Sequence, residues 1–184
     1  MTAVSRRDFL KTTAGATGAM AVGVLGFPLG SQLVEAIGPG LLRVTRTYAR
    51  TRVGRLADLA DGGPVDFKYP LEEHENFLLK LGAVAQGGVG PSGDVVAFSY
   101  LCSHIGCPLK DRYRHDDKVM GPCPCHFSTF DLTKNGTLVI GQATQSLPQI
   151  VLESEYGDVF AVGVTGLVYG YRDNLDGGDL AGTS

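Results

Sequence analysis

The chain has 184 residues, of which 43% are hydrophobic and 26 are glycine, and it carries a formal net charge of −3 at pH 7. This length suffices for one domain with a proper core plus short appendages, and the glycine content favours a turn-rich β domain over a helical bundle. The net negative charge argues against a nucleic-acid-binding surface.

Residues 1–36 are predicted to be an export signal. Arg6 and Arg7 come shortly before Phe9, and residues 12–34 carry no charge. Basic residues before such an apolar run are typical of export signals, and the arginine pair resembles the signal read by the twin-arginine translocase, which exports folded proteins to the periplasm. The small residue Ala36 fits a cleavage site, but the uncharged run is also long enough to remain as an anchor in the inner membrane. A buried N-terminal helix is a third interpretation.

Residues 37–63 are interpreted as a connector arm. Its arginines could dock an acidic partner surface. A solvated strand or extended arm is the favoured interpretation, because charges on a protein surface usually contribute little. The arginines of this arm are Arg43, Arg46, Arg50, Arg52 and Arg55.

Short segments of β-type composition follow at a regular pace between glycine and proline turns. Residues 133–136 give a hairpin signal, and the glycine-rich residues 87–93 are typical of a turn, since no phosphate-loop lysine follows them. The pattern predicts an all-β domain of antiparallel strands over residues 64–172, with a disordered tail over residues 173–184. The predicted strands are residues 65–69, 76–81, 95–100, 130–132, 137–140, 149–153, 159–164 and 167–171.

All four cysteines and three of the four histidines lie between residues 101 and 131. They include two short pairs, Cys102-x-His104 and Cys123-x-x-His126, which are separated by 18 residues. Neither spacing is typical of a zinc knuckle, whereas a [2Fe-2S] centre with two histidines on one iron fits both pairs. At this point a zinc site and a purely disulfide-stapled pair of loops stay open.

The two pairs belong to the motifs C-S-H-I-G-C and C-P-C-H-F-S, which resemble the two cluster-binding loops of Rieske iron-sulfur proteins that carry an additional disulfide. The resemblance implies an antiparallel β-sandwich with two cluster-binding loops, preceded by the signal or anchor segment. It also implies four cluster ligands and one disulfide: Cys102 and Cys123 on the buried iron, His104 and His126 on the outer iron, and Cys107 paired with Cys125.

Two further residues bear on the reduction potential. Imidazole ligands are neutral where thiolates are negative, so they raise the potential, and the class spans about −150 to +300 mV. The resemblance places Ser128 where high-potential members have a serine bonded to a bridging sulfide, and Phe130 where they have a tyrosine bonded to a cysteine sulfur. We therefore expect a potential below that of quinol-oxidising Rieske proteins and above that of ferredoxins without the disulfide. The alternative for Ser128 is an ordinary capping role.

Nothing in the sequence predicts chemistry on a substrate by this chain alone. Apart from the cluster ligands, no nucleophile, base and orienting group occur at a spacing that indicates a catalytic site. His74 and His115 have no partner at ligand spacing and are expected to be solvated. The residues describe a relay for single electrons.

A wider set of dispersed residues resembles the small Rieske subunit of arsenite oxidase. That resemblance implies a large partner subunit with a molybdenum bis-pterin cofactor, which oxidises arsenite, and a periplasmic cytochrome c or copper protein that accepts the electrons. The residues that carry it are the arginine leader, Tyr69-Pro70, residues 87–91, residues 123–127, residues 141–144 with Leu147-Pro148, and residues 161–170.

Three other functions stay in competition. The Rieske subunit of a quinol-oxidising cytochrome bc complex would need an anchor and a hinge, for which residues 38–40 are candidates. However, Phe127 stands where that class usually has glycine, and residues 141–148 replace its proline-rich loop. An oxygenase-type ferredoxin is disfavoured by Cys107 and Cys125. The last is a non-redox zinc-binding or disulfide-stapled module.

Overall fold

The computed structural model describes residues 34–36, 42–44 and 47–182. The chain divides into two compact units, residues 1–45 and residues 46–184. Most of the expected export signal and the candidate hinge at residues 38–40 lie outside the described residues. In the first unit, strand β1 (Val34–Ala36) pairs antiparallel with strand β2 (Leu42–Val44). Within the described residues, no helix has the length and apolar character that a membrane crossing requires.

The regular secondary structure of the second unit is mainly antiparallel strand. Among its described residues, the one helical element is a short 3₁₀ turn at Leu56–Asp58. The strands, in chain order, are β3 (Thr51–Arg55), β4 (Val65–Lys68), β5 (Glu75–Lys80), β6 (Val95–Ser99), β7 (Tyr113–Arg114), β8 (Val119–Met120), β9 (Thr129–Asp131), β10 (Thr137–Ile140), β11 (Gln149–Glu155) and β12 (Asp158–Thr165).

These strands form two sheets. The large sheet has six strands in the order β3-β12-β11-β6-β5-β4, and the small sheet has four in the order β10-β9-β8-β7. Every pairing in both sheets is antiparallel. The all-β fold expected from the sequence is therefore confirmed.

Strands β5 and β6 are buried on both faces and divide the core in two. Neighbouring residues of a strand point to opposite faces, so Phe77 and Phe98 share one face while Leu78 and Ala97 share the other. The first face packs with residues of the small sheet and with the two free cysteines. The second packs with β11 and β12. The small sheet and the cysteine loops therefore rest on the most deeply buried strands.

The connector arm joins the domain through β3, which pairs with β12 at the edge of the large sheet. Arg50 lies 2.7 Å from Glu155, and Arg52 lies 2.8 Å from Asp158. Arg55 is also paired, at 3.6 Å from Asp158. These three arginines thus have acidic partners within their own chain, and the side chains of Arg43 and Arg46 lie outside the described residues.

The predicted strand at residues 167–171 is wrong, because this segment forms a turn. Gly166 and Gly170 adopt positive φ angles of 88° and 93°, which interrupt an extended chain. The side chain of Asn174 then holds the turn together: it accepts a hydrogen bond from the Val168 N–H and donates one to the Gly166 carbonyl, both at 2.8 Å. This amide clamp joins residues six and eight positions apart, and no recognised turn motif predicts it.

The expected disorder after residue 172 is not what the structure has for residues 173–182. The Ala181 N–H donates to the Pro70 carbonyl at 2.9 Å, and the Glu72 N–H donates to the Asp179 carbonyl at 3.0 Å. Asn174, Leu175 and Ala181 are buried. Polar composition alone suggested disorder, but backbone hydrogen bonds and a few small apolar contacts dock this segment on the domain.

The expectation that His74 is solvated is also wrong. Its side chain is 1% exposed, and its ring meets the edge of the Tyr171 ring at a centroid distance of 4.2 Å. Neither ring nitrogen has a hydrogen-bond partner among the described residues. Burial, opposed by the Glu73 carboxylate, lowers the pKa of His74. His115, by contrast, is exposed as expected, near Tyr113 and Lys118.

Candidate metal centre

Two loops hold the candidate ligands, and each is closed by its own backbone. The first loop, residues 101–108, leaves β6 and returns through a bridge between Leu101 and Pro108. Inside it, the Cys102 N–H donates to the Cys107 carbonyl at 2.9 Å, and the Gly106 N–H donates to the Cys102 carbonyl at 2.8 Å. Gly106 has a φ of 74°, and an added Cβ would lie 2.5 Å from the Tyr169 ring. This glycine therefore permits the tight turn.

The second loop, residues 121–128, connects β8 to β9. The Cys123 N–H donates to the Ser128 carbonyl at 2.9 Å, and the Phe127 N–H donates to the Cys123 carbonyl at 3.0 Å. Phe127 adopts a φ of 60°, which is rare for a bulky side chain, and its ring is 69% exposed. Each loop thus carries one buried cysteine and one more accessible histidine.

The structure brings the four expected ligands together. Cys102 and Cys123 are free thiols, 0% and 2% exposed, and both belong to the same buried cluster of the core. His104 is half-buried and His126 is exposed, and their ring centroids lie 4.7 Å apart. Two thiols inside and two imidazoles toward the surface match the donor set of a histidine-ligated [2Fe-2S] centre.

One atom within this set gives a test of fit. The Nδ1 of His104 is buried and has no hydrogen-bond partner among the described residues. A buried ring nitrogen without a partner is costly unless something else satisfies it. A metal ion at this position would satisfy Nδ1. The residues present therefore fit a histidine-ligated [2Fe-2S] cluster.

The remaining two cysteines form the disulfide that the family resemblance implied. Cys107 and Cys125 are joined at an S–S distance of 2.04 Å, so the bridge ties the first loop to the second. The sulfur of Cys123 lies within 4.8 Å of both sulfurs of this bridge. Because disulfide sulfurs are not available as thiolate ligands, Cys102 and Cys123 are the cysteines of these loops that could serve as thiolate donors.

The electrostatics of Cys102 favour a metal-bound thiolate over a free one. Burial raises the pKa of the Cys102 thiol, while hydrogen bonds from the His104 backbone and the Ser128 hydroxyl act in the opposite direction. A thiolate in this apolar setting needs a cation beside it, and coordination supplies that cation as the proton leaves.

A third loop, residues 141–146, touches both of the others, and the sequence predicted no site residue in it. Ser103 Oγ donates to the Gln145 carbonyl at 2.8 Å. Ser128 is fully buried, and its Oγ accepts hydrogen bonds from the backbone N–H groups of Gln142 and Ala143, each at 3.1 Å. The one residue that could have indicated this loop from the sequence is Gly141, a glycine between a strand and a polar segment.

A polar network holds the residues that flank the first loop. Asp66 on β4 accepts hydrogen bonds from the Lys110 ammonium at 2.6 Å and from the Tyr100 hydroxyl at 2.7 Å. Lys110 and then Tyr100 hold the pKa of Asp66 below its usual range. Lys110 and Asp66 are both about half exposed, so the network serves mainly to orient the loop.

Comparisons with known proteins identify the type of domain. Residues 50–151 match the model of the Rieske [2Fe-2S] domain, and residues 3–23 match the signal sequence of the twin-arginine translocation pathway. The structure is similar to the crystal structure of the soluble domain of Rieske protein II (soxF) from Sulfolobus acidocaldarius. That similarity has a TM-score of 0.61 and 24% identity, covers 68% of this chain and 82% of that one, and concerns the fold alone.

Two relatives match over most of their length. The chain is 44% identical over 173 residues to the iodate reductase subunit IdrB of Pseudomonas sp. (strain SCT), which covers 94% of this chain and 85% of that protein. It is 51% identical over 130 residues to the iodate reductase subunit IdrB of Denitromonas iodatirespirans, covering 71% and 70% of the two chains.

Proposed function

The chain belongs to the Rieske [2Fe-2S] family, and we propose that within it this protein is the electron-transfer subunit of a periplasmic oxyanion oxidoreductase. The substrate would be converted on a larger, molybdenum-containing partner subunit. The observation that carries the proposal is the similarity to an iodate reductase subunit over 94% of this chain. The [2Fe-2S] cluster that comes with the family supplies one-electron chemistry.

In this proposal, Cys102 and Cys123 hold the inner iron, and His104 and His126 hold the outer iron. The burial of the two free thiols supports their place, since they keep water away from the inner side. His104 would bind through Nδ1, the buried nitrogen that has no other partner among the described residues. His126 is exposed, so electrons would enter and leave beside the imidazoles.

Two reactions of the partner subunit are candidates, and they move electrons in opposite directions. Iodate reduction, named in both relatives, would draw electrons from this chain into the large subunit. Arsenite oxidation, favoured by the dispersed residues between 64 and 171, would send two electrons one at a time from the large subunit to a cytochrome c or copper protein. Iodate reduction has the stronger support, because those relatives match over at least 70% of their own length.

Pre-steady-state mixing of the purified two-subunit complex separates the two reactions. If iodate is the substrate, it reoxidises the dithionite-reduced Rieske centre within turnover, and arsenite leaves the oxidised centre unchanged. If arsenite is the substrate, it reduces the oxidised centre and iodate is inert. The matched control is this chain without its large partner, in which neither compound acts at the catalytic rate. A complex that lacks molybdenum and responds to neither compound refutes the proposal.

The quinol-oxidising alternative is weaker on local grounds. Phe127 occupies the position after His126 with an exposed ring, and the third loop carries Gln142 and Thr144 in place of prolines. Co-purification with a haem b subunit, without molybdenum, would move the protein to that class.

Periplasmic localisation is part of the proposal and is supported by the twin-arginine signal match at residues 3–23. This route carries folded proteins, so the cluster would be inserted before export. The mass of the exported chain distinguishes cleavage after Ala36 from a retained anchor, and recovery in the cytoplasm alone would contradict the assignment.

A further inference from the structure

Residues 166–182 follow the last strand, β12, and form a strap across the domain; they lie outside the residues that match the Rieske domain. The far end of the strap is fixed on the turn that links β4 to β5. Leu180 forms an antiparallel bridge with Leu71 of that turn. The ring of Tyr171 packs edge-on against the buried ring of His74, at a centroid distance of 4.2 Å. The strap is therefore anchored on one of the most buried parts of the domain.

Between its two ends, the strap reaches the first cluster loop through Tyr169. The preceding residue, Val168, is fully buried and is held by the Asn174 amide, which fixes where Tyr169 starts. A Cβ added to Gly106 would lie 2.5 Å from Cδ1 and 3.1 Å from Cε1 of the Tyr169 ring. Carbon atoms of this ring therefore lie directly against the backbone of the first loop.

The covered backbone carries one of the candidate ligands. The Gly106 N–H donates to the Cys102 carbonyl at 2.8 Å, and His104 lies between these two residues in the chain. Opening of this hydrogen bond would free the segment that holds His104. The second loop has the equivalent bond across His126, from the Phe127 N–H at 3.0 Å, and so offers an internal comparison.

From these contacts we propose that the C-terminal strap retains the cluster: Tyr169 holds the first loop closed at Gly106 and thereby keeps His104 in place as a ligand. The inference rests on the proposed function and its ligand set. Tyr169 is a positioning residue, because it acts through the loop backbone and not on the iron. Loss of its ring contact lets the loop open more often, and a metal bound to an open loop is lost sooner.

Hydrogen–deuterium exchange of the cluster-loaded full chain, followed by mass spectrometry of the loop peptides, measures this opening. In Tyr169→Ala, the peptide that contains Gly106 should exchange about fivefold faster, as expected for the loss of one ring contact. The peptide that contains Phe127 should not change. Loss of the iron–sulfur absorption in the presence of an iron chelator should become faster by the same factor. In electron paramagnetic resonance spectra, one of the two histidine nitrogen couplings should broaden, since Tyr169 touches the first loop.

Three variants serve as controls. Tyr169→Phe keeps the ring carbons that make the contact, so it should behave as the wild type. Tyr156→Ala removes a tyrosine that is 95% exposed at the turn between β11 and β12, and it should also leave both loops unchanged. Asn174→Ala releases the amide clamp beside Val168, so it should resemble Tyr169→Ala in the exchange of the first loop.

The outcomes separate this inference from the proposed function. A wild-type chain without iron–sulfur absorption refutes the ligand set and the function with it. A cluster-loaded wild type with unchanged exchange and cluster loss in Tyr169→Ala overturns only the role of the strap. Equal acceleration in both loops, or the same acceleration in Tyr169→Phe, also overturns it, because the effect would then not come from the ring contact. If Tyr169→Ala does not retain its cluster, Asn174→Ala decides: unchanged exchange of its first loop overturns the inference.

Discussion

Removal of the disulfide between the two cluster loops should destabilise the protein by an amount that its loop length determines. Cys107 and Cys125 are 18 residues apart, and closing a loop of that size removes about 3 kcal/mol of chain entropy from the unfolded state. Cys107 is half-buried and Cys125 is exposed, so truncation to alanine loses little apolar burial and the loop term dominates. For a domain of this size, about 3 kcal/mol corresponds to a fall in Tm of about 10 °C.

The assay is the thermal midpoint of the cluster-loaded Cys107→Ala/Cys125→Ala variant, recorded beside the wild type at one scan rate. Wild-type protein treated with a thiol reductant should approach the midpoint of the variant, and the variant should not respond to the reductant. A fall of under 3 °C would refute the reasoning.

The single variant Cys107→Ala should retain less cluster than the double variant, because the freed Cys125 thiol lies within 4.8 Å of Cys123 and competes for it. Equal retention would contradict this expectation.

Two further predictions concern buried side chains. Phe130 is fully buried in the core that contains both free cysteines, and Phe130→Tyr should raise the reduction potential by adding a donor there; voltammetry that finds it unchanged or lower contradicts the idea. Burial lowers the pKa of His74, so the unfolded state takes up a proton first as the pH falls. Stability should therefore decline below the unfolded pKa of about 6.5 and continue to decline until the folded pKa is reached. Denaturation at several pH values should show a smaller acid loss in His74→Leu, while His115→Leu, at an exposed histidine, keeps the full loss.

The sequence predicted those parts of the molecule that local pattern determines. Seven of the eight expected strands are present within one or two residues, because alternation and glycine turns mark them locally. The cysteine and histidine pairs were found for the same reason, since each pair lies within four residues on one loop. Strands β7 and β8 have only two residues each and carry too little pattern to be recognised.

The features that were missed depend on side-chain and backbone contacts that the strand and turn patterns of the sequence do not reveal. The turn at residues 167–171 is closed by Asn174, and the burial of His74 depends on Tyr171, nearly a hundred positions along the chain. The contact of the third loop with Ser128 likewise joins residues 14 or 15 positions apart through backbone N–H groups, which no side-chain motif reveals. Composition suggested disorder for residues 173–184, because the few backbone hydrogen bonds that dock this tail cannot be recognised from residue types.

We propose that Cys102, His104, Cys123 and His126 hold a [2Fe-2S] cluster that relays electrons. This ligand set can be checked by electron paramagnetic resonance (EPR) spectroscopy of the dithionite-reduced complex, with metal analysis of the same sample. We expect a Rieske-type rhombic signal with two coupled histidine nitrogens and about two iron atoms per chain. Zinc in place of iron, with no EPR signal, would show that the ligand assignment is wrong.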